Sequence, residues 1–249
     1  MSLSTAAVMA ALTLTGCSSH DEQTPIGTSS GTGRPKTSAA ASPSASVRLA
    51  WRHTVKDRSG ATREWYVARV KNSSTSKTSV TLVVRALDKT GTLVGSSEDI
   101  LPDISAGATF DYFGEFGGAF SDSLTGIPAK LQLSLYTPGY DHARVIDKPT
   151  LGTSQVKLTE GDHDDLLTSA PHAYDLSAQV TNNTHDTVSV RITQQVVLYD
   201  AHGQVVGGRT GASDNVPNDL PSGVSYREEW TGIPATAEAV RAAYTVWTD

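Results

Sequence analysis

The sequence predicts an all-β protein that contains two antiparallel β-sandwich domains in tandem. Apolar and polar residues alternate along several short segments, and Asp-x-x-Gly motifs typical of tight turns separate those segments. Motifs of the first half also return in the second half in the same order. Alternation with a period of two is typical of strands that bury one face. A repeated motif order indicates a duplicated domain.

An export signal is predicted first, over residues 1–16. This segment is small and apolar, as a secretory signal is, and it leads into Leu14-Thr15-Gly16-Cys17. Residues 14–17 resemble the lipobox of bacterial lipoproteins. The resemblance implies that Cys17 becomes the new N-terminus and carries lipid on its sulfur. Since two acyl chains hold a protein stably on a bilayer, the expected location is extracytoplasmic, anchored to the bacterial cell membrane.

A disordered tether is predicted next, over residues 17–46. Of the 29 residues from Ser18 to Ser46, 22 are Ser, Thr, Gly, Pro or Ala. Such a segment has almost nothing to bury, so ordering it is not compensated by hydrophobic contacts. As a flexible coil it would span roughly 30 Å.

The rest of the chain is predicted to be two copies of one domain, residues 47–150 and 151–249. The pentapeptide Thr-Gly-Ile-Pro-Ala occurs at residues 125–129 and again, letter for letter, at residues 231–235. Three looser matches keep the same order: 68–72 with 178–182, 88–95 with 200–207, and 104–107 with 220–223. These offsets of 106 to 116 residues predict a tandem duplication.

Strands are predicted wherever apolar residues alternate. In the first copy these residues are Tyr66, Ala68, Val70, Val80, Leu82, Val84, Ala86, Leu131, Leu133 and Leu135. In the second they are Leu176, Ala178, Val180, Val188, Val190, Ile192, Val196, Leu198, Val240, Ala242, Tyr244 and Val246, with Gln194 interrupting. Tight turns are predicted at 88–91 and 200–203, with Asp capping and Gly closing each turn. Residues 237–243 favour a helix by propensity, but their first-copy counterpart alternates, so a strand is predicted.

The segment Val196-Val197-Leu198-Tyr199-Asp200 resembles the signature of FxLYD-type domains. A Val-x-Asn before it, at 180–182, and a hydrophobic-Pro-x-Gly step after it, at 220–223, extend the resemblance. The first copy departs further, with Val84-Arg85-Ala86-Leu87-Asp88 in place of the signature. The resemblance implies an immunoglobulin-like sandwich on a bacterial surface or lipid-anchored protein, and it implies no catalytic residue.

Composition excludes several function classes. Twenty basic against 26 acidic residues give a net charge of −6, whereas a nucleic-acid binder normally has a clustered basic face. One cysteine excludes a disulfide framework and multi-cysteine metal sites. Asp162-His163-Asp164-Asp165 lacks the spacing of a calcium loop and is predicted to be a solvated loop. No cofactor, metal site or catalytic residue is predicted.

All four phenylalanines lie between Phe110 and Phe120. When Phe110 is aligned with Tyr226, the ten residues from Glu115 to Leu124 have no counterpart in the second copy. Two interpretations follow for Phe113, Phe116 and Phe120. They either pack against the neighbouring domain or form a partner- or ligand-binding surface, because aromatic side chains are preferred anchors at interfaces.

The leading functional hypothesis is a membrane-anchored bacterial lipoprotein that binds a protein or cell-wall partner without catalysis. The alternative is a receptor or carrier for a small ligand, with its site between the two copies near Phe116 and Phe120. A weaker alternative is a hydrolase whose site is assembled only in the fold. The first alternative requires a pocket with convergent polar groups, and the second requires a nucleophile within reach of a base.

Overall fold

A computed structural model describes residues 45–57, 59–118, 121–136, 148–162, 170–189, 191–212, 215 and 217–248. Residues 1–44, with the predicted signal peptide, Cys17 and most of the predicted tether, lie outside the described residues. So do Phe120 and the histidine and the last two acidic residues of the Asp162-His163-Asp164-Asp165 segment. The first strand begins at Ala45, two residues before the predicted domain boundary.

The described part of the chain is built of strands, as predicted, and holds no helix that could cross a membrane. The first six strands are β1 (Ala45–Lys56), β2 (Thr62–Asn72), β3 (Thr81–Leu87), β4 (Leu93–Ile100), β5 (Thr109–Phe116) and β6 (Lys130–Tyr136). The next six are β7 (Gly152–Glu160), β8 (His172–Thr181), β9 (Ile192–Tyr199), β10 (Val205–Ala212), β11 (Ser225–Ala235) and β12 (Arg241–Thr248). All the strand pairs in the sheets are antiparallel.

The first half, β1–β6, and the second half, β7–β12, have the same strand order. In the first half the sheets are β1-β2-β5 and β4-β3-β6. In the second half the corresponding orders, β7-β8-β11 and β10-β9-β12, are joined into one six-stranded sheet by a contact between β10 and β11. Adding six to each strand number of the first half therefore reproduces the second half.

Each half buries most of the alternating residues that the sequence singled out, but Val240 is 60% exposed and precedes β12, and Val190 lies outside the described residues. Leu82, Val84 and Ala86 on β3 are fully buried and pack with the inward residues of β2. The strand predicted near residues 237–243 is present from Arg241 onward as β12. Gln194, which interrupts the apolar face of β9, is also buried. It accepts a hydrogen bond of 2.7 Å from Tyr244 and donates one of 3.1 Å to Glu228.

The two predicted Asp-x-x-Gly turns are confirmed. Asp88 Oδ1 accepts the backbone N–H groups of Thr90 and Thr92 at 2.8 and 2.9 Å, and Asp200 Oδ1 does the same for residues 202 and 204. Gly91 and Gly203 have φ values of 87° and 74°, a left-handed conformation that glycine adopts without steric cost. Hydrogen bonds to the side chain thus explain the aspartate of the motif, and the left-handed conformation explains the glycine.

A buried asparagine forms side-chain hydrogen bonds to the backbone at one end of each half. Asn182 donates from Nδ2 to the carbonyl oxygens of Asp186 and Leu220, both at 2.8 Å, and its Oδ1 accepts from Thr184. Asn72 makes the corresponding contacts in the first half, through Ile104 and Ser74. Both asparagines are fully buried. Each Asn-x-Ser/Thr sequence is therefore a structural turn, with its amide group engaged inside the protein.

The repeated pentapeptide occupies different places in the two halves. Thr125 N donates to Val94 O at 2.9 Å, and the same contact in the second half, to Val206 O at 2.7 Å, comes from Thr236 rather than Thr231. Ile127 is 68% exposed, whereas Ile233 is fully buried. The alignment of 125–129 with 231–235 was therefore wrong, because the hydrogen bonds make Thr236, not Thr231, the counterpart of Thr125.

With the corrected alignment, a different set of residues in the first half has no counterpart in the second. Phe116 pairs with Glu64 on β2, and Ile233 pairs with Tyr174 on β8, the counterpart of β2 in the matching order. Phe116 is thus the counterpart of Ile233. The eight residues 117–124 separate Phe116 from Thr125, whereas only residues 234 and 235 separate Ile233 from Thr236, so the first half has six extra residues here rather than the ten from Glu115 to Leu124.

The two halves meet along the outer edge of β5. The side-chain amide of Gln195 accepts from Phe113 N and donates to Asp111 O, both at 2.8 Å, so it satisfies the free edge of the strand. Thr210 Oγ1 donates to Phe113 O at 2.6 Å. Beneath these bonds, an apolar cluster joins both halves through Trp65, Val67, Phe113, Ala170, Val197, Tyr199 and Val205.

Candidate functional site

A cleft of about 650 Å³ opens where the two halves meet. In the first half β4 and β5 belong to different sheets, whereas their counterparts β10 and β11 are hydrogen-bonded to each other. The cleft enters the first half between β4 and β5, and β10 of the second half forms its opposite wall. Its charged lining residues are Arg63, Arg191, Arg209, Asp99, Glu115 and Asp122.

Hydroxyl and carboxyl groups line the part of the cleft between β4 and β5. Tyr66 is almost fully buried, and its hydroxyl lies 3.1 Å from Ser97 Oγ. Tyr112 is also buried and donates a hydrogen bond to the carboxyl group of Asp99. Inward positions of β2, β4 and β5, which are apolar in an ordinary sheet core, thus carry polar groups that face one another at the cleft.

An ion pair between Arg63 and Glu115 lies on the wall of the cleft next to these hydroxyl and carboxyl groups. Arg63 is 5% exposed, and its Nη1 donates to Glu115 Oε1 at 3.2 Å. Trp65 also donates a side-chain hydrogen bond to Glu115. A buried guanidinium group requires such a partner, because an unpaired charge in a partly dry site is costly. The pair therefore holds both charged groups at the wall of the cleft.

The second half contributes a wall made of the backbone of β10, with Arg209 lying over the ring of Trp230. Arg209 lies over the ring of Trp230, with Cζ 5.0 Å from the ring centroid, and its Nη1 donates to Thr231 O at 3.0 Å. Gly208 approaches the first half so closely that a β-carbon there would lie 2.7 Å from the ring of Phe113. Gly211 has more space, since a β-carbon there would meet only Trp230, at 3.6 Å.

Several cleft groups have shifted pKa values. Burial raises the pKa of Asp99, and the nearby charge of Asp122 adds to the increase, while the hydrogen bond from Tyr112 opposes it. Burial also raises the pKa of Glu115, against the opposing effect of Arg63. The pKa of Tyr112 is raised by burial and by Asp99. Shifted pKa values of this kind often gather at functional sites, although structural ion pairs also produce them.

Replacing Asp99 with asparagine is expected to stabilise the protein near neutral pH. The pKa of Asp99 is raised in the folded state, so its contribution is most favourable at low pH and is lost as pH rises through the folded pKa. The introduced amide would keep an acceptor for Tyr112 without the buried charge. Thermal unfolding should show a higher Tm for Asp99→Asn at about pH 7 and none of this gain at about pH 3, below the ordinary aspartate pKa of about 3.9.

Glu98→Gln is the matched control for this measurement, since Glu98 is the exposed neighbour of Asp99 on β4. We expect little change in its Tm at either pH, because isolated surface substitutions usually have small effects. An Asp99→Asn protein that is less stable than the parent at neutral pH would contradict the proposed cost of burial.

The predicted aromatic site residues have other roles in the structure. Phe116 is fully buried in the core of the first half, with its ring 5.6 Å from that of Tyr66. Phe113 is 2% exposed and packs in the cluster between the halves. Phe116 therefore packs within its own half and offers no surface to a partner, whereas Phe113 packs between the halves and also lines the cleft. A binding role of Phe113 stays a prediction. Phe120 lies outside the described residues.

Sequence reasoning placed an alternative site between the two copies but missed the residues that form it. Ser97, Asp99 and Asp122 carried no recognisable motif, and Arg209 belongs to the other half. One signal was present: Tyr66 carries a polar hydroxyl group at a core position whose counterpart by strand register is the apolar Leu176. Polar groups on the inward face of a predicted strand are a reason to look for a cavity.

The cleft can bind polar groups but shows no arrangement specific to a reaction. It combines guanidinium, carboxyl and hydroxyl groups with a nearly equal share of exposed apolar surface. Among the described residues, no three His, Cys, Asp or Glu side chains lie together in a way that could hold a metal ion. No known family model matches the chain, and no curated protein is significantly similar to it. The chemistry of the cleft is therefore the main guide to function.

Proposed function

We propose that this chain is a lipid-anchored, extracytoplasmic binding protein that takes its ligand in the cleft between two immunoglobulin-like domains, without catalysis. The observation that carries the proposal is the cleft itself, which brings polar groups from both halves together in a volume suited to a small ligand or to part of a larger one. A binding site between domains is a common location for ligands in proteins.

The domain part of the proposal is supported by the shared strand order of the two halves. Their matching Asp-x-x-Gly turns and buried asparagines support it further. The resemblance to FxLYD-type domains adds the expectation of a cell-surface module. The polar cleft makes a small-ligand site between the copies, the alternative hypothesis, the better supported form of the function. A protein or cell-wall partner is compatible with it if part of that partner enters the cleft.

The anchor is tested at Cys17. Cells that express the parent chain and are given radiolabelled palmitate should yield a labelled protein in the membrane fraction. Cys17→Ala should remove the label and release the protein from the membrane, because it removes the sulfur that accepts the lipid. Equal labelling of parent and Cys17→Ala would refute lipidation at this residue. Ser18→Ala is a suitable control, since it changes the adjacent residue without removing the thiol.

The ligand site is tested by photocrosslinking on intact cells. Asp122 is exposed and lines the cleft, whereas Glu98 is exposed on β4 and does not line it. With p-benzoylphenylalanine in place of Asp122, irradiation should give an adduct that the same group at Glu98 does not give. Combining the Asp122 probe with Gly211→Leu, which fills the cleft, should abolish the adduct.

Two results would refute the cleft as the binding site. One is an adduct of equal yield from the two probe positions, which would indicate contact without a specific site. The other is an Asp122 adduct that survives Gly211→Leu. Gly152→Leu is the matched control, because a β-carbon at Gly152 also meets only ordinary contacts, the nearest at 3.6 Å, and Gly152 lies outside the cleft.

A further inference from the structure

We infer that the ligand of the cleft is an uncharged saccharide, held mainly by hydrogen bonds from the charged and hydroxyl side chains of both halves. This inference rests on the proposed function and specifies the ligand class of the same site. Three properties of the lining lead to it: its charge balance, its mixture of hydrogen-bond donors and acceptors, and its nearly equal shares of polar and apolar surface.

The charges of the cleft balance. Its walls contain three arginines and three acidic side chains, Arg63, Arg191, Arg209, Asp99, Glu115 and Asp122. A strongly anionic or cationic ligand would meet as many like charges as opposite ones. Since like charges close together are destabilising and opposite charges are favourable, such a lining does not select a ligand of either sign. It favours a ligand without net charge.

The charged groups act as oriented hydrogen-bonding groups. The ion pair of Arg63 with Glu115 and the position of Arg209 over the Trp230 ring restrain both guanidinium groups. A guanidinium group has only donors, and a carboxylate has only acceptors. A hydroxyl group can both donate and accept, so a ligand rich in hydroxyl groups can satisfy a wall on which donors and acceptors are mixed.

The exposed lining of the cleft is polar and apolar in nearly equal parts, although the aromatic rings around it are largely buried. Tyr66 and Trp65 are 1% exposed, Phe113 is 2% exposed and Trp230 is 8% exposed. A lipid chain or a flat aromatic ligand gains its affinity from burying apolar area, but in this cleft it would also cover the charged and hydroxyl groups of the same walls without giving them hydrogen-bond partners, which is costly. The remaining class that fits a volume of about 650 Å³ is a small, polar and uncharged molecule. A short saccharide, free or at the end of a cell-wall glycan, has this chemistry.

The adduct captured at Asp122 tests the inference directly. After release from the purified protein, its composition is determined by mass spectrometry. Neutral sugar or N-acetylated amino-sugar residues are the expected result. An adduct made of amino acids alone, of lipid or of a charged metabolite would overturn the saccharide class while leaving the cleft as a binding site. Absence of any adduct that depends on Asp122 would instead refute the proposed function itself.

Calorimetry on the chain purified in detergent gives the second measurement. The neutral probes are cellotetraose, maltotetraose and tetra-N-acetylchitotetraose, and the charged probes are tetragalacturonate and tetralysine. At least one neutral probe should bind more tightly than both charged probes, and Gly211→Leu should weaken it at least about tenfold, or about 1.4 kcal/mol, while Gly152→Leu should not. Tighter binding of a charged probe would overturn the inference.

The source of the saccharide is distinguished by a sedimentation assay with insoluble cell-wall glycan. Retention of the parent chain on the pellet, with loss of retention for Gly211→Leu, assigns the polymer as the source. Binding of the soluble tetrasaccharides without retention on the pellet assigns a free saccharide. Either result supports the ligand class. Failure of both arms, with a sugar-free adduct at Asp122, refutes it.

Discussion

Replacing Phe116 with alanine is expected to lower the free energy of unfolding by about 3 to 5 kcal/mol. The Phe116 ring is fully buried in the core of the first half, where it packs against Tyr66. Removing it costs both the transfer free energy of the ring and the cavity left behind, because the surrounding sheets relax only partly. Urea or thermal unfolding followed by circular dichroism would measure the loss.

Ile127→Ala is the matched control for Phe116→Ala. Ile127 is a large apolar residue of the connection that follows Phe116, between β5 and β6, but it is 68% exposed. We expect its replacement to change stability by less than about 0.5 kcal/mol. If Phe116→Ala left stability unchanged and removed a binding partner instead, the burial of Phe116 and the packing interpretation would both be wrong.

Replacing Asn182 with alanine is expected to cost at least about 3 kcal/mol, because several buried groups would lose their hydrogen-bond partners at about 1 to 3 kcal/mol each. Its amide nitrogen donates to two carbonyl oxygens at 2.8 Å, and one of them belongs to Leu220, which is fully buried. Chemical unfolding would measure the effect. Asn72→Ala should cost a similar amount, since Asn72 makes the corresponding contacts in the first half.

Asn183→Ala is the control for this prediction. Asn183 is the next residue in the chain, has the same side chain and is exposed, so its replacement should have little effect. If Asn183→Ala and Asn182→Ala were equally mild, the buried hydrogen bonds would not stabilise this turn. Since the halves share an apolar cluster and the hydrogen bonds of Gln195, we expect Asn72→Ala and Asn182→Ala to shift a single common unfolding transition.

The sheet and turn structure could be predicted because its causes are local. Alternating residues such as Leu82, Val84 and Ala86 identify a buried strand face within a few positions. An aspartate and a glycine three residues later form a turn through bonds within the same short segment. The one matching segment that misled the alignment was Thr-Gly-Ile-Pro-Ala. Its two occurrences differ because the residues that pair with it, Val94 in one case and Tyr174 in the other, are far away in the sequence.

The candidate site could be predicted only in outline. A position between the two copies was one of the alternatives, but the aromatic residues Phe113 and Phe116 chosen for it are buried. Asp99 and Asp122 come from different segments of the first half, and Arg209 comes from the second half. Nothing in the local sequence indicates that these three residues meet, since their proximity depends on contacts between distant strands.

By itself, the sequence determined the class of structure, the positions of most strands and turns, and the expectation of a lipid anchor at Cys17. Tertiary structure decided that Phe113 and Phe116 are packing residues and that β4 and β5 stay apart. It also decided that the resulting gap becomes a polar cleft against β10. The physical reason is that periodicity and turn chemistry act over a few residues, whereas burial and cavity shape arise from the register of strands far apart in the chain.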